Sequence, residues 1–552
     1  NDNRIETHES GTAPCKTACP AHVAVQGYLK LAAQGRYDKA LALIKRENPL
    51  PAICGRVCNR RCEDACTRGR VDAAVAIDEV KKFIAQRDLD AATRYVPPVV
   101  TPTRAGGFDQ KIAIIGAGPA GLSCAFYLAE KGYKPVVFEK NERPGGMLTY
   151  GIPSFKLQKD VIEAEVEVIR LMGAEFRYGV EVGRDVTLDE LRAQGFKAFY
   201  VAIGCQGGRL AGIPGEDAED VTVAVDFLRE VNSGKIDALP GRTIVVGGGN
   251  VAIDVARNAC RLGSEHVEMF CLESEAQMPA SEEERREAIE DGAHISCGWG
   301  PKEVHLDEAG RVCGITFKRC TRVYDDEGRF APEYDENDLR RVDADRVVMS
   351  IGQSIVWGDL LAGSKVELGR GQGALADPQT YQTAEPDIFV GGDVYTGPSF
   401  AIDAIAAGHE AAVSIHRFVQ PGSTLTIGRN QRRYTALDRD DVVIESYDNA
   451  SREVAHVDRE REKAAPFSEY VETFTEEQVR AETARCLGCG ASIVDPNKCI
   501  GCGLCTTKCA FDAIHLDRDR PECSTMVKYE QKLPSLGKYA LKRAIKIKFG
   551  RK

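Results

Sequence analysis

Cysteines at regular spacing near both ends of the chain are the residues best suited to chemistry. Thirteen of the 20 cysteines fall into two groups, six within residues 15–66 and seven within residues 486–523. Their CxxC and CxxxC spacing is typical of metal sites, and soft thiolates select zinc or iron–sulfur clusters. The other seven cysteines stand singly, and we interpret them as small buried side chains.

The N-terminal group begins with a pair followed by proline and continues at intervals of four residues, giving Cys15, Cys19, Cys54, Cys58, Cys62 and Cys66. The four thiols from Cys54 to Cys66, on short helical turns, are expected to converge on one point, and the N-terminal group is expected to hold a [4Fe–4S] cluster. Zinc is the alternative, although the CxxC pairs usual in zinc sites are absent. Six thiols cannot ligate two clusters. Either one cluster forms and two thiols are spare, or a second is completed by a non-cysteine ligand or a partner chain.

The C-terminal group has the C-x2-C-x2-C-x3-C spacing of bacterial ferredoxins, at Cys499, Cys502, Cys505 and Cys509. This spacing predicts a further [4Fe–4S] cluster. The fourth cysteine of such a motif often serves a neighbouring cluster, and Cys486, Cys489 and Cys523 are available to join it. We therefore place Cys486 and Cys489 in a ferredoxin-like module, with a zinc ribbon as the alternative. The cysteines supply at least two clusters and up to four.

Residues 111–140 have the pattern of a dinucleotide-binding unit. An apolar strand runs into Gly116, Gly118 and Gly121, a helix follows, and a second strand ends at Glu139. The first glycine allows a tight turn, the second lets the backbone approach a pyrophosphate, and the third lets helix and strand pack closely. The helix N-terminus faces the pyrophosphate, and the carboxylate of Glu139 is placed to accept hydrogen bonds from a ribose.

A second unit of this kind occupies residues 242–273, with Gly247, Gly249 and Ala252 in the GxGxxA form. Two units mean two dinucleotides, and this favours FAD facing a nicotinamide. The flavin exchanges electrons singly or in pairs, whereas the nicotinamide gives only hydride.

The end of the second unit predicts which nicotinamide binds. Leu272 and Glu273 stand where a 2′-phosphate would require arginine, which favours NADH over NADPH. Arg285 and Arg286 in the following helix leave NADPH as the alternative.

Other glycine-rich segments are predicted to contact the flavin. They are the loop at 142–157, the strand end within 199–208, and the GGD segment at 391–393, whose aspartate is expected to hydrogen-bond the ribityl chain. The remaining predicted cofactor-binding residues are Pro119, Ala120, Lys140, Gly145, Gly146, Met147, Gly204, Asn250, Val251, Gly352, Gly392, Asp393 and Ala401.

These motifs predict an α/β protein with two Rossmann-like domains, flanked by a helical iron–sulfur domain and a ferredoxin-like domain. The NAD-binding domain interrupts the FAD-binding domain, because the GGD segment follows the second fingerprint and returns to complete the first. The predicted boundaries are 1–105 for the helical domain with its linker, 106–238 and 353–420 for the FAD domain, 239–352 for the NAD(P) domain, 421–484 for a mostly solvated connecting segment, 485–527 for the ferredoxin-like domain and 528–552 for a basic tail.

Length and composition exclude several classes of protein. A chain of 552 residues is too long for a single core. The net charge of −11 argues against nucleic-acid binding, which requires a basic face. No run of 18 apolar residues and no secretory signal pattern occurs, so we expect a cytoplasmic protein without a transmembrane segment.

From Cys15 to about residue 418 the chain resembles the small (β) subunit of glutamate synthase and its relatives. The motifs that carry the resemblance are, in order, CGRVC, GAGPAGL, GGM, GGGNVAIDVAR, MPA and GGD. It implies that electrons pass from the nicotinamide through FAD to the clusters. Two features depart from it. No cysteine precedes Cys15, where relatives with two N-terminal clusters have more, and Leu272 and Glu273 replace the paired arginines of NADPH-using members.

We therefore expect an electron-transfer subunit in which NADH gives hydride to FAD and the clusters accept electrons singly. No catalytic side chain is required, because the flavin carries the chemistry. The added C-terminal module resembles fused versions in larger redox complexes. This implies a hetero-oligomer with a hydrogenase, formate dehydrogenase or glutamate synthase-type partner, or exchange with ferredoxin.

Several alternatives remain open. Neither the direction of electron flow nor flavin-based bifurcation follows from the sequence. One alternative is a glutamate synthase-type small subunit that uses NADPH. Another is an FAD disulphide reductase, although Cys124 is single and no CxxC or CxxxxC motif lies in the flavin domain. A third is a metal-bound scaffold.

Overall fold

The structure is a computed structural model that describes residues 11–99, 107–431, 434–442, 444, 447–490, 499–508, 514–516 and 528–549. It divides into a larger unit, Glu9–Ala491, and a smaller one that includes Ser492–Lys552. None of the described helices combines the length and the apolar character that crossing a membrane requires.

The N-terminal part of the larger unit is helical, as predicted. Apolar side chains at helical spacing, such as Tyr28, Leu29 and Ala32, are buried between the helices. A 3-10 turn at Thr67–Arg70 separates the last two helices. The helices are α1 (Pro14–Thr17), α2 (Val25–Ala33), α3 (Tyr37–Lys45), α4 (Pro51–Val57), α5 (Arg61–Asp64) and α6 (Ile77–Leu89).

The first dinucleotide unit opens a parallel sheet. Its first strand has four consecutive buried apolar residues, which is typical of a strand covered on both faces. The elements of this half are β1 (Lys111–Ile115), α7 (Pro119–Glu130), β2 (Val136–Glu139), α8 (Met147–Tyr150), α9 (Lys159–Leu171), β3 (Glu175–Tyr178), α10 (Leu188–Ala193), β4 (Phe196–Val201) and β5 (Gly207–Gly208).

The second dinucleotide unit forms its own parallel sheet in the strand order β6-β13-β7-β8-β9, and an antiparallel sheet β10-β11-β12 packs beside it. The elements are β6 (Val221–Val223), α11 (Ala224–Asn232), β7 (Arg242–Val246), α12 (Asn250–Arg261), β8 (His266–Cys271), α13 (Glu282–Glu290), β9 (His294–Cys297), β10 (Trp299–Leu306), β11 (Val312–Tyr324), β12 (Phe330–Val342), β13 (Arg346–Met349) and β14 (Gln353–Ser354).

The chain then returns to the first sheet through β15 (Ile388–Val390), α14 (Asp393–Thr396) and α15 (Ala401–Val419). The first sheet has the order β15-β4-β1-β2-β3, and Ile388 of β15 pairs with Phe199 of β4. The interrupted arrangement predicted from the order of the motifs is therefore confirmed. The two crossings between the domains pair with each other as the antiparallel strands β5 and β14.

The connecting segment carries α16 (Arg459–Ala464) and α17 (Glu476–Ala484). The prediction of a mostly solvated segment covers residues 421–484, and it fails on the inner face of α17. Val479 and Glu482 have no exposed surface, and Arg485 is only 1% exposed. Charged side chains are buried here because they are paired: Arg485 forms an ion pair with Asp72 at 2.9 Å.

The described part of the smaller unit contains α18 (Leu504–Lys508) and α19 (Tyr529–Phe549). The predicted basic tail thus forms a helix, and its described side chains from Tyr529 to Lys548 are exposed.

Candidate cofactor sites

The first fingerprint forms an open cradle at the end of β1. A side chain at Gly116, where φ is +103°, would place its Cβ 2.5 Å from the carbonyl oxygen of Ala202. At Gly121 the Cβ would lie 2.0 Å from the carbonyl oxygen of Gly116, so α7 packs closely against the turn. Gly118, the N-cap of α7, has no atom within 4 Å of such a Cβ. Open space therefore lies at the helix N-terminus, where the pyrophosphate is predicted.

Glu139 ends β2 with its carboxylate held on both oxygens. Its Oε2 accepts a hydrogen bond from the backbone N–H of Ala117 at 2.8 Å, and its Oε1 accepts from the backbone N–H of Asn141 at 2.9 Å. The side chain is 2% exposed, so its orientation is fixed beside the cradle. Lys140, the next residue, is exposed and lies outside the cavity described below.

A cavity of about 1030 Å³ opens at the cradle, and it is lined by both Rossmann-like domains. From α12 of the second domain come Val251 and Asp254, and Leu228 comes from α11. The predicted flavin residues in its wall are Gly116, Gly118, Pro119, Ala120, Glu139, Gly146, Met147, Gly204, Gly392, Asp393 and Ala401. The lining, which combines the first fingerprint with side chains of the second domain, fits a flavin with a second ligand beside it.

Gly121, Gly145 and Gly352, also predicted as cofactor residues, are not in this wall. Gly121 packs on the turn. The backbone N–H of Gly145 donates to the carbonyl oxygen of Ala117 at 2.8 Å. These two glycines therefore support the cradle through backbone packing and do not line the cavity.

Asp393 reaches the cavity from the turn after β15. Burial raises the pKa of its carboxyl to about 6, and the backbone N–H of Ser399 donates to its Oδ1 at 3.3 Å. A Cβ at Gly392, where φ is +67°, would lie 3.0 Å from the Cβ of Ala120, so this turn lies directly against the start of α7. The returning segment thus closes the cradle that the first fingerprint opens.

The second fingerprint repeats this construction. A Cβ at Gly247 would lie 2.3 Å from the carbonyl oxygen of Ser350, whereas Gly249, the N-cap of α12, faces open space. Ala252 is fully buried against the sheet. The side chain of Asn250 accepts from the backbone N–H of Ser281 at 3.2 Å, so the MPA segment just before Ser281 folds onto the fingerprint.

Glu273 is half-buried beside the second fingerprint, since a Cβ at Gly248 would lie 3.0 Å from its Oε2. Arg285 donates to the carbonyl oxygen of Glu275 at 2.7 Å, and Arg286 pairs with Glu290 at 3.8 Å. Glu273, Arg285 and Arg286, which the sequence analysis weighed against each other, therefore lie on neighbouring parts of the same domain.

An ion-pair cluster that the sequence analysis missed joins the two domains at the cavity. Lys156, in the loop after α8, forms an ion pair with Asp254 of α12 at 2.7 Å and another with Glu284 of α13. Burial raises the pKa of Asp254 to about 6. The available signal was an acid on the buried face of α12, within the motif GGGNVAIDVAR.

The N-terminal cysteines separate into two sets instead of converging on one point. Helix α4 ends at Val57, Arg60 has a left-handed backbone with φ of +55°, and α5 is only four residues long. These turns direct Cys66 away from the three cysteines that precede it. The prediction of a single point of convergence for Cys54, Cys58, Cys62 and Cys66 is therefore wrong.

The first set, which we call the local thiol set, is Cys19, Cys54, Cys58 and Cys62. Burial raises the pKa of each of the last three thiols. The Cys19 thiol adds to the increase at Cys58, and the Cys58 thiol adds to the increase at Cys54 and at Cys62. The buried ammonium of Lys81, which is paired with Asp78, opposes the increase at all three. Four thiols and one cation thus share this site.

The second set, the long-range thiol set, is Cys15, Cys66, Cys486 and Cys489. All four line one pocket of about 340 Å³. The structure thus contradicts the placement of Cys486 and Cys489 in the ferredoxin-like module, because these residues fold back against the N-terminal helices. No three His, Cys, Asp or Glu side chains in the described ranges lie close enough to hold a single metal ion. A pocket ringed by four thiols suits a larger [4Fe–4S] cluster.

Of the ferredoxin-like cysteines, Cys499 and Cys502 are exposed and Cys505 is half-buried. The backbone N–H of Gly501 approaches the Cys499 sulfur at 3.4 Å. Cys509 lies outside the described residues.

The sequence matches the family described as pyridine nucleotide-disulphide oxidoreductase over residues 110–408. The chain belongs to this family. Within it, the chain is one of the glutamate synthase small subunit-like oxidoreductases. Residues 8–93 match the dihydropyrimidine dehydrogenase domain II with a 4Fe-4S cluster, and residues 492–515 match a 4Fe-4S binding domain. The family resemblance and the added C-terminal module predicted from the motifs are confirmed.

Relatives in this family are subunits of redox enzymes. The NADP(+)-dependent formate dehydrogenase subunit beta of Moorella thermoacetica is 35% identical over 87% of this chain and 70% of its own length. The glutamate synthase [NADPH] small chain of Escherichia coli K12 is 35% identical over 74% and 89%. The NAD-dependent dihydropyrimidine dehydrogenase subunit PreT of the same strain is 33% identical over 74% and 91%. The chain is thus an FAD-dependent NAD(P)H oxidoreductase with iron–sulfur domains.

Proposed function

We propose that this chain passes electrons between NAD(P)H and iron–sulfur clusters through FAD, with NADH favoured, as one subunit of a larger redox complex. The observation that carries the proposal is the single cavity whose wall combines the first fingerprint with Val251 and Asp254 of the second domain. A nicotinamide held by the second fingerprint can meet a flavin in this space. FAD, when bound, accepts hydride and releases the electrons singly.

The work of the chain itself is placement. The N-termini of α7 and α12 each direct backbone N–H groups at a pyrophosphate, and Glu139 is fixed to receive a ribose. Lys156 holds α12 against the flavin domain through Asp254. Because these groups are fixed before ligands bind, the donor and the acceptor meet in one orientation.

Two contacts support a route from the flavin cavity to the local thiol set. Arg61, the residue before Cys62, donates to both carboxylate oxygens of Asp403, at 2.9 and 3.1 Å. Asp403 lies in the first turn of α15, whose residue Ala401 lines the cavity. Glu165 of α9 accepts hydrogen bonds from the backbone N–H groups of Ala52 and Ile53, at the start of the helix that carries Cys54.

Anaerobic titration with NADH tests this proposal. We expect the flavin absorbance to bleach, followed by the broad brown absorbance of the clusters. A metal-bound scaffold without flavin would instead be colourless, and a yellow protein that NADH does not bleach would overturn the proposal.

The preference for NADH rests on Glu273, whose carboxylate beside the fingerprint would repel a 2′-phosphate. Glu273→Arg should weaken NADH and favour NADPH, measured as the rate of flavin bleaching by each nucleotide. Glu275→Arg, at an exposed position two residues further on, is the matched control. Equal preference in both variants would show that Glu273 does not select the nucleotide.

A glutamate synthase-type small subunit using NADPH is the second candidate. It is favoured by the 35% identity to the E. coli small chain and by Arg285, which is held close to the end of β8. Faster bleaching by NADPH than by NADH would support it. For an FAD disulphide reductase there is less support, because no cysteine is among the residues that line the described flavin cavity.

The partner in this proposal is ferredoxin or a redox subunit of the formate dehydrogenase, hydrogenase or glutamate synthase type. Electrons are exchanged with this partner through the ferredoxin-like module. A bifurcating form of the complex would oxidise NADH only when two acceptors are present together. We propose a cytoplasmic location, since the described cysteines are free and disulphides form mainly in oxidising compartments. Purifying the native complex and identifying the co-eluting subunits tests both the partner and the location.

A further inference from the structure

One CxxC pair of the chain lies outside the matches to known cluster domains. These matches cover residues 8–93 and 492–515, and Cys486 and Cys489 lie between them. The N-terminal domain, for its part, has six cysteines where two clusters need eight. One structural feature explains both the two unassigned cysteines and the two missing cluster ligands.

The segment that carries Cys486 and Cys489 is anchored on the N-terminal domain. Arg485 donates to the carbonyl oxygen of Ala73 at 2.6 Å, and Glu482 accepts from the backbone N–H of Ala76 at 2.8 Å. The side chain of Gln26, on α2, donates to the carbonyl oxygen of Cys489 at 2.6 Å. These are buried or half-buried contacts, so the position of the CxxC pair is fixed by the fold.

The pocket between this segment and the N-terminal helices has the composition of a ligand site. Its wall contains the four thiols of the long-range set together with Val25, Leu29 and other apolar side chains. The side chain of Thr67, which is 2% exposed, also lies in the wall and hydrogen-bonds the Cys489 thiol, which lowers the pKa of that thiol. The wall is therefore made of four thiols, one hydroxyl that hydrogen-bonds a thiol, and apolar side chains.

The thiols also influence one another electrostatically. Burial raises the pKa of Cys15 well above its usual value, and the thiols of Cys66, Cys486 and Cys489 raise it further. Burial raises the pKa of Cys486 as well, and the thiols of Cys66 and Cys489 raise it further. Thiols that lie this close together in one buried pocket are stabilised as thiolates when they bind a metal cluster.

We propose that Cys15, Cys66, Cys486 and Cys489 ligate a second [4Fe–4S] cluster, built jointly by the two ends of the chain. Each thiol loses its proton on binding, so four protons leave as four sulfur–iron bonds form. The local thiol set then holds one complete cluster, and the four cysteines of the ferredoxin motif suffice for another. This inference deepens the proposed function by assigning the ligands of its clusters, and it does not depend on which nucleotide is used.

The first test uses thiol protection in the full-length protein. Cys499→Ser with Cys502→Ser removes two ligands of the ferredoxin motif and leaves the larger unit unchanged. The variant is treated anaerobically with iodoacetamide and mapped by mass spectrometry. We expect Cys505 and Cys509 to become reactive while Cys486 and Cys489 stay protected. If Cys486 and Cys489 become reactive with them, they serve the ferredoxin-like module and the proposal fails.

The second test compares paired variants by iron content and by the EPR spectrum of the reduced protein. Cys15→Ser with Cys66→Ser and Cys486→Ser with Cys489→Ser should each remove the same signal and about four iron atoms per chain. Combining the two pairs should remove no more than either pair alone. Combining the Cys486 and Cys489 changes with those at Cys499 and Cys502 should remove about eight.

Different signals lost from the first two pairs, or additive iron loss on combining them, would overturn the proposal. If either pair fails to fold, the protection experiment decides alone, because its variant changes only the ferredoxin motif. The NADH titration is read from the flavin band, so failure of the proposed function is distinguished from failure of this ligand assignment.

Discussion

The two thiol sets sit in the same helical domain but are built in different ways. The local thiol set comes from one stretch of chain, with Cys54 on α4, Cys62 on α5, Cys58 between the two helices and Cys19 close by. The long-range thiol set needs α17 and the residues after it to return across the molecule. The first set can form once the N-terminal helices pack, whereas the second exists only when the whole larger unit is folded. In the second set, cluster binding and closure of the fold therefore stabilise each other.

The largest effect that tests this difference is expected at Arg485. Its guanidinium has no exposed surface and pairs with both Asp72 and Glu482. Arg485→Ala leaves the buried Glu482 carboxylate without its cation, whereas Asp72 keeps Arg68, so the free energy of unfolding should fall by about 3–5 kcal/mol. The EPR signal of the long-range set should disappear while that of the local set remains.

Arg480→Ala is the matched control on the same helix. Its side chain is 64% exposed and pairs with Glu476, so the change should cost less than about 1 kcal/mol and leave both signals intact. Loss of the local signal in Arg485→Ala would show that the two sets do not form independently. Denaturant unfolding and EPR of the same samples measure both quantities.

A smaller effect should separate the two sets by their electrostatic surroundings. Lys81 places a buried ammonium beside the local set, where positive charge favours the reduced and more negative state of a cluster. Lys81→Met should lower the midpoint potential of the local cluster by roughly 60 mV, a tenfold change in the one-electron equilibrium. An EPR-monitored redox titration measures this potential.

Lys82→Met controls for the loss of a buried lysine on the same helix, because Lys82 pairs with Glu469 at 2.8 Å and does not act on the thiols. The potential of the long-range cluster should be unchanged in both variants. A shift of equal size in the two clusters would mean that Lys81 acts through the fold and not through its charge.

The smallest effect is expected at Gln26, which donates to the carbonyl oxygen of Cys489. Gln26→Ala removes one half-buried hydrogen bond and should cost about 1 kcal/mol, with faster loss of iron from the long-range set alone. Gln34→Ala, at the exposed end of the same helix, is the control. Iron release to a chelator, followed by EPR, measures the rates. Equal rates of iron release in the two variants would show that the Gln26 hydrogen bond does not help to retain this cluster.

The dinucleotide domains were predictable because their signals are local. The strand predicted to end at Glu139 is found at Val136–Glu139, and the strand expected before Gly247 is found at Arg242–Val246. Within such a unit, the first glycine is required by a backbone carbonyl across one strand, whereas the second, Gly118 or Gly249, leaves open space at the helix N-terminus. The order of the motifs was enough to predict that one domain interrupts the other.

The thiol sets were less predictable for two physical reasons. Regular spacing of four residues suggested one helical face, but the left-handed turn at Arg60 breaks the helix and redirects Cys66. The partners of Cys66 include Cys486, which is separated from it by the whole of both Rossmann-like domains. Sequence spacing carries no information about such a pairing. The ion pair between Lys156 and Asp254 was missed for the same reason, since its members belong to different domains.

The short ribbon formed by β5 and β14 has a mechanical consequence. Both covalent links between the flavin and nicotinamide domains run through it side by side, with Gly207 opposite Ser354 and Gly208 opposite Gln353. A rotation of the nicotinamide domain relative to the flavin domain would therefore use this ribbon as its hinge. Such a rotation would move Asp254 and Glu284 away from Lys156 and break both ion pairs. The rate at which these ion pairs break would then determine how often the nicotinamide and the flavin come into contact.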